Sequence, residues 1–189
     1  MTFIKYEDEC GLCIYNIVKW GLSKTETMVT GGIAMSENNI NPKIENEINN
    51  KLDGEMRKNA LDFVAYMKAN GMTNHATYSN AFEYDGKWVC IMIIDNDGWT
   101  IYDNPLTKHY DDFPIDESMK EFAWAHVHIC ATGHCESSPG VSKKIFGKSF
   151  ENVCTSEVAF RNPSAETLQN VMQMIDIWKQ TIDEGNNNV

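Results

Sequence analysis

The chain has 189 residues, a hydrophobic fraction of 42% and a formal net charge of -11. That length suits one compact domain, or one domain with a helical appendage, and the apolar content supplies a core, which excludes wholesale disorder. The acidity speaks against nucleic acid or an anionic membrane as a partner, because both require clustered Lys and Arg.

No apolar run approaches the ~20 residues that span a bilayer. The opening MTFIKYEDEC is acidic and lacks the hydrophobic region of a signal peptide. A cytoplasmic address is the expectation. In that reducing compartment the six cysteines read as buried thiols, metal ligands or redox groups rather than structural disulfides.

In chain order, TFIKY at residues 2–6 predicts a short strand, and CGLCIYNIVKWG a helix stopped by Gly21. Residues 23–41 are Gly- and Asn-rich and give a loop or weak hairpin, ending in the helix start Asn41-Pro42. Helical spacing resumes at Ile44, Ile48, Leu52 and Met56 and continues through Phe63, Val64 and Met67 to Gly71. Asp53-Gly54 should break this run into two helices, being a poor helix interior and a good turn. Residues 1–53 are therefore read as a helical and loop extension, 54–184 as an α+β domain and 185–189 as a frayed tail.

After Met72 the period changes to two. ATYSNAFEY, WVCIMIID and WTIYD, separated by Asp85-Gly86 and by Asn96-Asp97-Gly98, predict a three-stranded antiparallel meander. In the middle strand both alternating sets are apolar, so both faces should be covered, by helices or by a helix and a ligand cavity. Ser118 with Glu121 predicts a capping box and a helix start near Met119. The final helix should follow Asn162-Pro163-Ser164, with Leu168, Val171, Met172, Ile175, Trp178 and Ile182 as its buried stripe. The fold class expected is α+β: a central antiparallel sheet at about 76–103, packed by helices at about 54–70 and 164–184.

Chemistry-bearing residues concentrate between Glu121 and Cys154. His126 and Cys130 are four apart and share a face whether the chain there is helix or strand; His128 joins them only if it is strand. Phe146, Phe150 and Cys154 are likewise spaced by four, which places Cys154 on an aromatic surface. The loop ATGHCESSPG can bend His134 and Cys135 back toward Cys130. A zinc ion held by Cys130 and Cys135, with help from His134, His126 or Cys154, fits the preference of zinc for thiolate and imidazole. The spacing is not the tight C-x2-C of a zinc ribbon. Two further readings stand beside it: small core thiols with locally satisfied histidines, and thiol redox chemistry.

The run SPGVSKKIFGKSFENVC followed by FRNPSAETLQNV resembles the C-terminal part of an uncharacterised bacterial protein family. Its members carry a Cys/Gly-rich loop, a Pro-Gly, an Ile-Phe-Gly-Lys-x-Phe run with a cysteine, and an Asn-Pro-x-Ala-Glu helix start. The resemblance spans roughly residues 120–180 and implies that this segment is a unit, but no chemistry. The loop CATGHCESSPG has fewer cysteines than the family form, which weakens the metal reading.

Elsewhere, Cys10 and Cys13 at a helix head have the spacing of a thioredoxin-like motif. Residues 23–53 lack the strands such a fold needs, and Glu7, Asp8 and Glu9 oppose a thiolate. Asp95-Asn96-Asp97-Gly98 is a hairpin turn, since its glycine comes too early for a calcium loop. Asp111, Asp112, Asp116 and Glu117 are a solvated helix entry. Two functions are expected as alternatives. The first is a bacterial cytosolic module binding a small apolar or aromatic ligand in a pocket of Trp88, Trp99, Tyr102 and Trp124. The second is a thiol redox enzyme using Cys10 and Cys13, or Cys130 and Cys135.

Overall fold

The computed structural model describes residues 42–74, 80–103, 110, 113–130 and 140–187. The expected elements at 2–41, the Cys10–Cys13 pair, His134, Cys135, Asp111 and Asp112 lie outside them. Two helices come first, α1 (Pro42–Lys51) and α2 (Gly54–Ala69). The chain does break at Asp53: Gly54 has φ +50, which glycine adopts without strain. Ile44, Ile48 and Leu52 are nonetheless buried in the same core as Phe63, Val64 and Met67, so α1 is packed onto α2 and the sheet.

A short β1 (Thr73–Asn74), not expected from the sequence, precedes the three strands of the expected meander, β2 (Ala81–Tyr84), β3 (Lys87–Asp95) and β4 (Gly98–Asp103). Asp85 and Gly86 both have positive φ, 49° and 69°, the signature of a type I′ hairpin turn. After α3 (Glu117–Ala125) the chain adds three strands that periodicity did not reveal: β5 (Val127–Ile129), β6 (Val141–Ile145) and the long β7 (Lys148–Arg161). The result is a seven-stranded antiparallel sheet in the order β1-β2-β3-β4-β7-β5, with β6 also paired to β7. The last helix, α4 (Ala165–Asn187), runs past the expected end at 184.

Two helix starts show which cap wins. In α3 the cap is Asp116, not Ser118: its carboxylate accepts from the Met119 N–H at 2.8 Å and from the Ser118 hydroxyl at 2.7 Å. A carboxylate meets the positive helix end better than a neutral hydroxyl, so the helix begins two residues early. Those two bonds hold the Asp116 carboxyl below its usual range. In α4 the expected Ser164 does accept from Thr167 N–H, at 3.1 Å.

Cross-strand register sorts the sheet into two faces. Met92, Ile101 and Phe160 form one row, all 3% exposed or less, and Ile94 pairs with Trp99 beside it. On this side Phe63 of α2 meets Phe82 and Trp99, Phe122 of α3 stacks on Phe160, and α4 lays down Leu168, Val171 and Ile175. Full burial of each such side chain stabilises the fold by about 1.5–3 kcal/mol. Polar ties set the helix positions. Asn59 Nδ2 donates to the Pro163 carbonyl at 3.1 Å, and the Tyr66 hydroxyl bridges to the Asp176 carboxylate at 2.6 Å. The opposite row is Ile91, Tyr102 and Ala159, half-buried. The second apolar set of β3 is thus less covered than the first.

Candidate functional site

β7 is the strand on which the histidine–cysteine segment converges. Val141 of β6 and Ile129 of β5 both pair with Val153, so these strands lie on opposite edges of β7. Cys130 N–H donates to the Asn152 carbonyl at 2.7 Å. A Cβ on Gly140 would stand 2.5 Å from the same carbonyl, so only glycine fits there. Cys130 and Gly140 therefore both lie beside Asn152, two residues before Cys154.

Between the pairs Val127–Val158 and Ile129–Val153, β5 contributes one residue and β7 four. The single residue is His128. The four are Cys154, Thr155, Ser156 and Glu157. A bulge of this kind bends the strand and re-aims its side chains, and bulges recur beside active sites. Here it turns Cys154 and Ser156 onto His128. The His128 Nδ1 lies 2.9 Å from the Ser156 hydroxyl, and its imidazole is hydrogen-bonded to the Cys154 thiol. The Tyr102 ring, 5.9 Å away centroid to centroid, flanks the imidazole on the less covered face.

The electrostatics follow from these contacts. The hydrogen bond from His128 pulls the Cys154 thiol down to about 6 from its usual 9.0, against burial, with the backbone N–H and hydroxyl of Ser156 assisting. Reciprocally, the Cys154 contact raises His128 above its ordinary 6.5, overcoming its desolvation. Each group favours the charged form of the other. With His128 Nδ1 donating to Ser156 Oγ, the serine hydroxyl is free to donate to the thiolate. Cys154 and Ser156 are 4% and 1% exposed, so the ionised sulfur is held beneath the half-buried imidazole. Next to them Glu157, 7% exposed, is neutralised by Lys143 of β6.

Two residues of the expected metal set, His126 and Cys154, lie on opposite sides of the sheet. His126 caps α3 on the helix side, where its Nδ1 donates to the Phe122 carbonyl at 2.8 Å and its ring packs on Phe122 and Phe160. Cys154 faces His128 on the other side. Cys130 is half-buried at the end of β5, and among the described residues no three His, Cys, Asp or Glu side chains gather as a metal set. Among the described residues, His128 is hydrogen-bonded to a cysteine, Cys154.

The four aromatics expected to share a pocket are dispersed. Trp99 is core, 1% exposed against Phe63, and its indole N–H has no partner among the described residues. Trp88 gives its carbonyl to the Trp178 indole at 3.4 Å. Trp124 donates to the Ile145 carbonyl at 2.8 Å, with Lys148 Nζ 5.0 Å above its ring. Tyr102 alone reaches the thiol site.

One sequence signal could have revealed the bulge. Val153 and Val158 are five apart and would face opposite sides of a regular strand, yet both are apolar positions flanking the polar run Thr155-Ser156-Glu157. Compared with protein-family models, curated proteins and solved structures, the chain matches none.

Proposed function

We propose that this protein is a cysteine-nucleophile enzyme acting on an activated carbonyl, with Cys154 as nucleophile, His128 as its acid–base partner and Ser156 as the residue that positions the imidazole. The observation that carries the reading is the four-against-one bulge of β7, which brings a thiol and a hydroxyl onto one imidazole. Nucleophile, base and orienting group within hydrogen-bond reach are the parts that covalent acyl transfer needs.

In the step proposed, the Cys154 thiolate attacks the carbonyl carbon and forms a C–S bond while the π electrons move to oxygen. Collapse restores the carbonyl and breaks the bond to the leaving group, which takes the His128 proton. Neutral His128 then removes a proton from water, whose oxygen attacks the thioester. Collapse releases the acid and returns the thiolate with protonated His128. This reading differs from the thiol redox chemistry expected of Cys10 and Cys13, or of Cys130 and Cys135: it uses Cys154 and transfers an acyl group with no change of oxidation state. Burial of the sulfur favours small acyl groups.

The test uses p-nitrophenyl acetate and intact-mass analysis of the full chain. One acetyl group should appear on Cys154, be absent in Cys154→Ser, and form at least tenfold more slowly in His128→Gln. Acetylation confined to other residues, or an unchanged rate in His128→Gln, would overturn the assignment. So would stoichiometric zinc that is released by Cys154→Ser.

A further inference from the structure

A second feature lies on the other face of the sheet and uses none of the thiol-site residues. Between α4 and the Ile101–Phe160 row there is an apolar cavity of about 40 Å³. On the same measure a single water needs about 10–15 Å³ and takes about 30 Å³ of liquid volume, so the space holds roughly three waters, about the bulk of one small ring. Its wall contains Tyr110, Phe113, Phe146, Phe160, Val171 and Trp178, and no residue lining it is charged. The rings are ordered against one another. Phe113 stacks on Trp178 at 4.9 Å with planes 24° apart, and Tyr110 meets Phe146 edge to face at 4.8 Å.

Phe146 supplies an independent reason to treat the wall as built. It occupies the first position of the β6–β7 turn, with φ 47°, followed by Gly147 at 83°. Such a turn wants Asn, Asp or Gly there, and the chain obeys this rule at Asp85-Gly86. A bulky ring in the left-handed region is strained, and strain of this kind collects at ligand clamps. In return Phe146 is 5% exposed and its ring packs into the cavity wall against Tyr110 and Phe113.

We infer that this cavity is a binding site for a small, planar, uncharged apolar molecule of about one aromatic ring, clasped by Phe146 and Trp178. Flat walls with almost no polar lining favour such a ligand over a charged or hydrogen-bonding one.

The test takes p-xylene and indole as probes with the full-length protein. A saturable rise in Tm with one probe molecule per chain is expected. Phe146→Asn suits the turn and keeps the hairpin while removing the wall, and should weaken probe binding at least tenfold. Val171→Met fills the space from α4 and should do the same. No saturable rise in the wild-type protein would show a packing void and overturn the inference. An equal rise in both variants would place the probe elsewhere and overturn it too.

Discussion

Replacing His128 by glutamine tests the thiol site most directly, because the structure sets the size of the effect. With the Cys154 thiol at about 6, about nine-tenths of it is ionised at pH 7. At its usual 9.0, only about one-hundredth would be. Ser156 keeps its own two donors to the sulfur in the variant, so the recovery should be partial. An apparent value above about 8 is expected, which cuts the thiolate population at pH 7 by at least about tenfold. The assay is the ultraviolet absorbance of the thiolate followed across pH, taken as the difference between wild type and Cys154→Ser. It needs no reagent to reach a sulfur that is 4% exposed. Acyl transfer should follow the same titration. Its rate rises through about pH 6 as the thiolate forms, then falls above the ordinary 6.5 of histidine as His128 loses the proton the leaving group needs. A wild-type midpoint above pH 8, or one unmoved by His128→Gln, would refute the reasoning.

Gly140→Ala should destabilise the protein by about 1–3 kcal/mol, because its methyl would press on the Asn152 backbone rather than on a side chain able to turn aside; thermal unfolding should show a Tm lower by roughly 2–4 °C per kcal/mol. Lys143→Ala strands the Glu157 carboxylate at 7% exposure and should cost about 1–3 kcal/mol in denaturant unfolding. Lys143→Ala combined with Glu157→Gln should recover most of that loss, and failure to recover it would show that Lys143 acts through packing.

The fold was legible where one element carried one period. Residues 81–103 hold short apolar strands bounded by Asp85-Gly86 and Gly98, so the meander could be read strand by strand. The α4 stripe from Leu168 to Ile182 was equally plain, and so was the break at Asp53. The second half of the sheet was not, for three separate physical reasons. β5 has only three residues, too few to show any period. β6, VSKKI, reads as surface because its strand is half exposed. β7 loses its alternation at the bulge, so Val153 and Val158 contradict a regular strand although both are buried. The thiol site inherits all three difficulties. Cys154 was singled out as a candidate ligand, but its partner depends on a register that a three-residue strand and a four-residue bulge jointly determine.

β7 can hold such a distortion because it is paired on either side of it, at Val153 and before and at Val158 and after. β6 and then β4 bond one side and β5 the other, so residues 154–157 can leave the ladder while Val153 and Val158 stay in it. Local sequence then divides the work by face. The regular end of β7 turns Phe160 toward α3, α4 and the apolar cavity. The bulge turns Cys154 and Ser156 the other way, toward His128 and Tyr102. Deletion of Thr155 should therefore separate the two roles. It would shorten the bulge and pull Cys154 off His128, while the pairing of Ile101 with Phe160 keeps the cavity wall in place. The Cys154 thiolate signal should move from about pH 6 toward its usual 9.0 in the ultraviolet titration while p-xylene still raises Tm. Loss of both together would mean that the two faces of β7 are one cooperative unit.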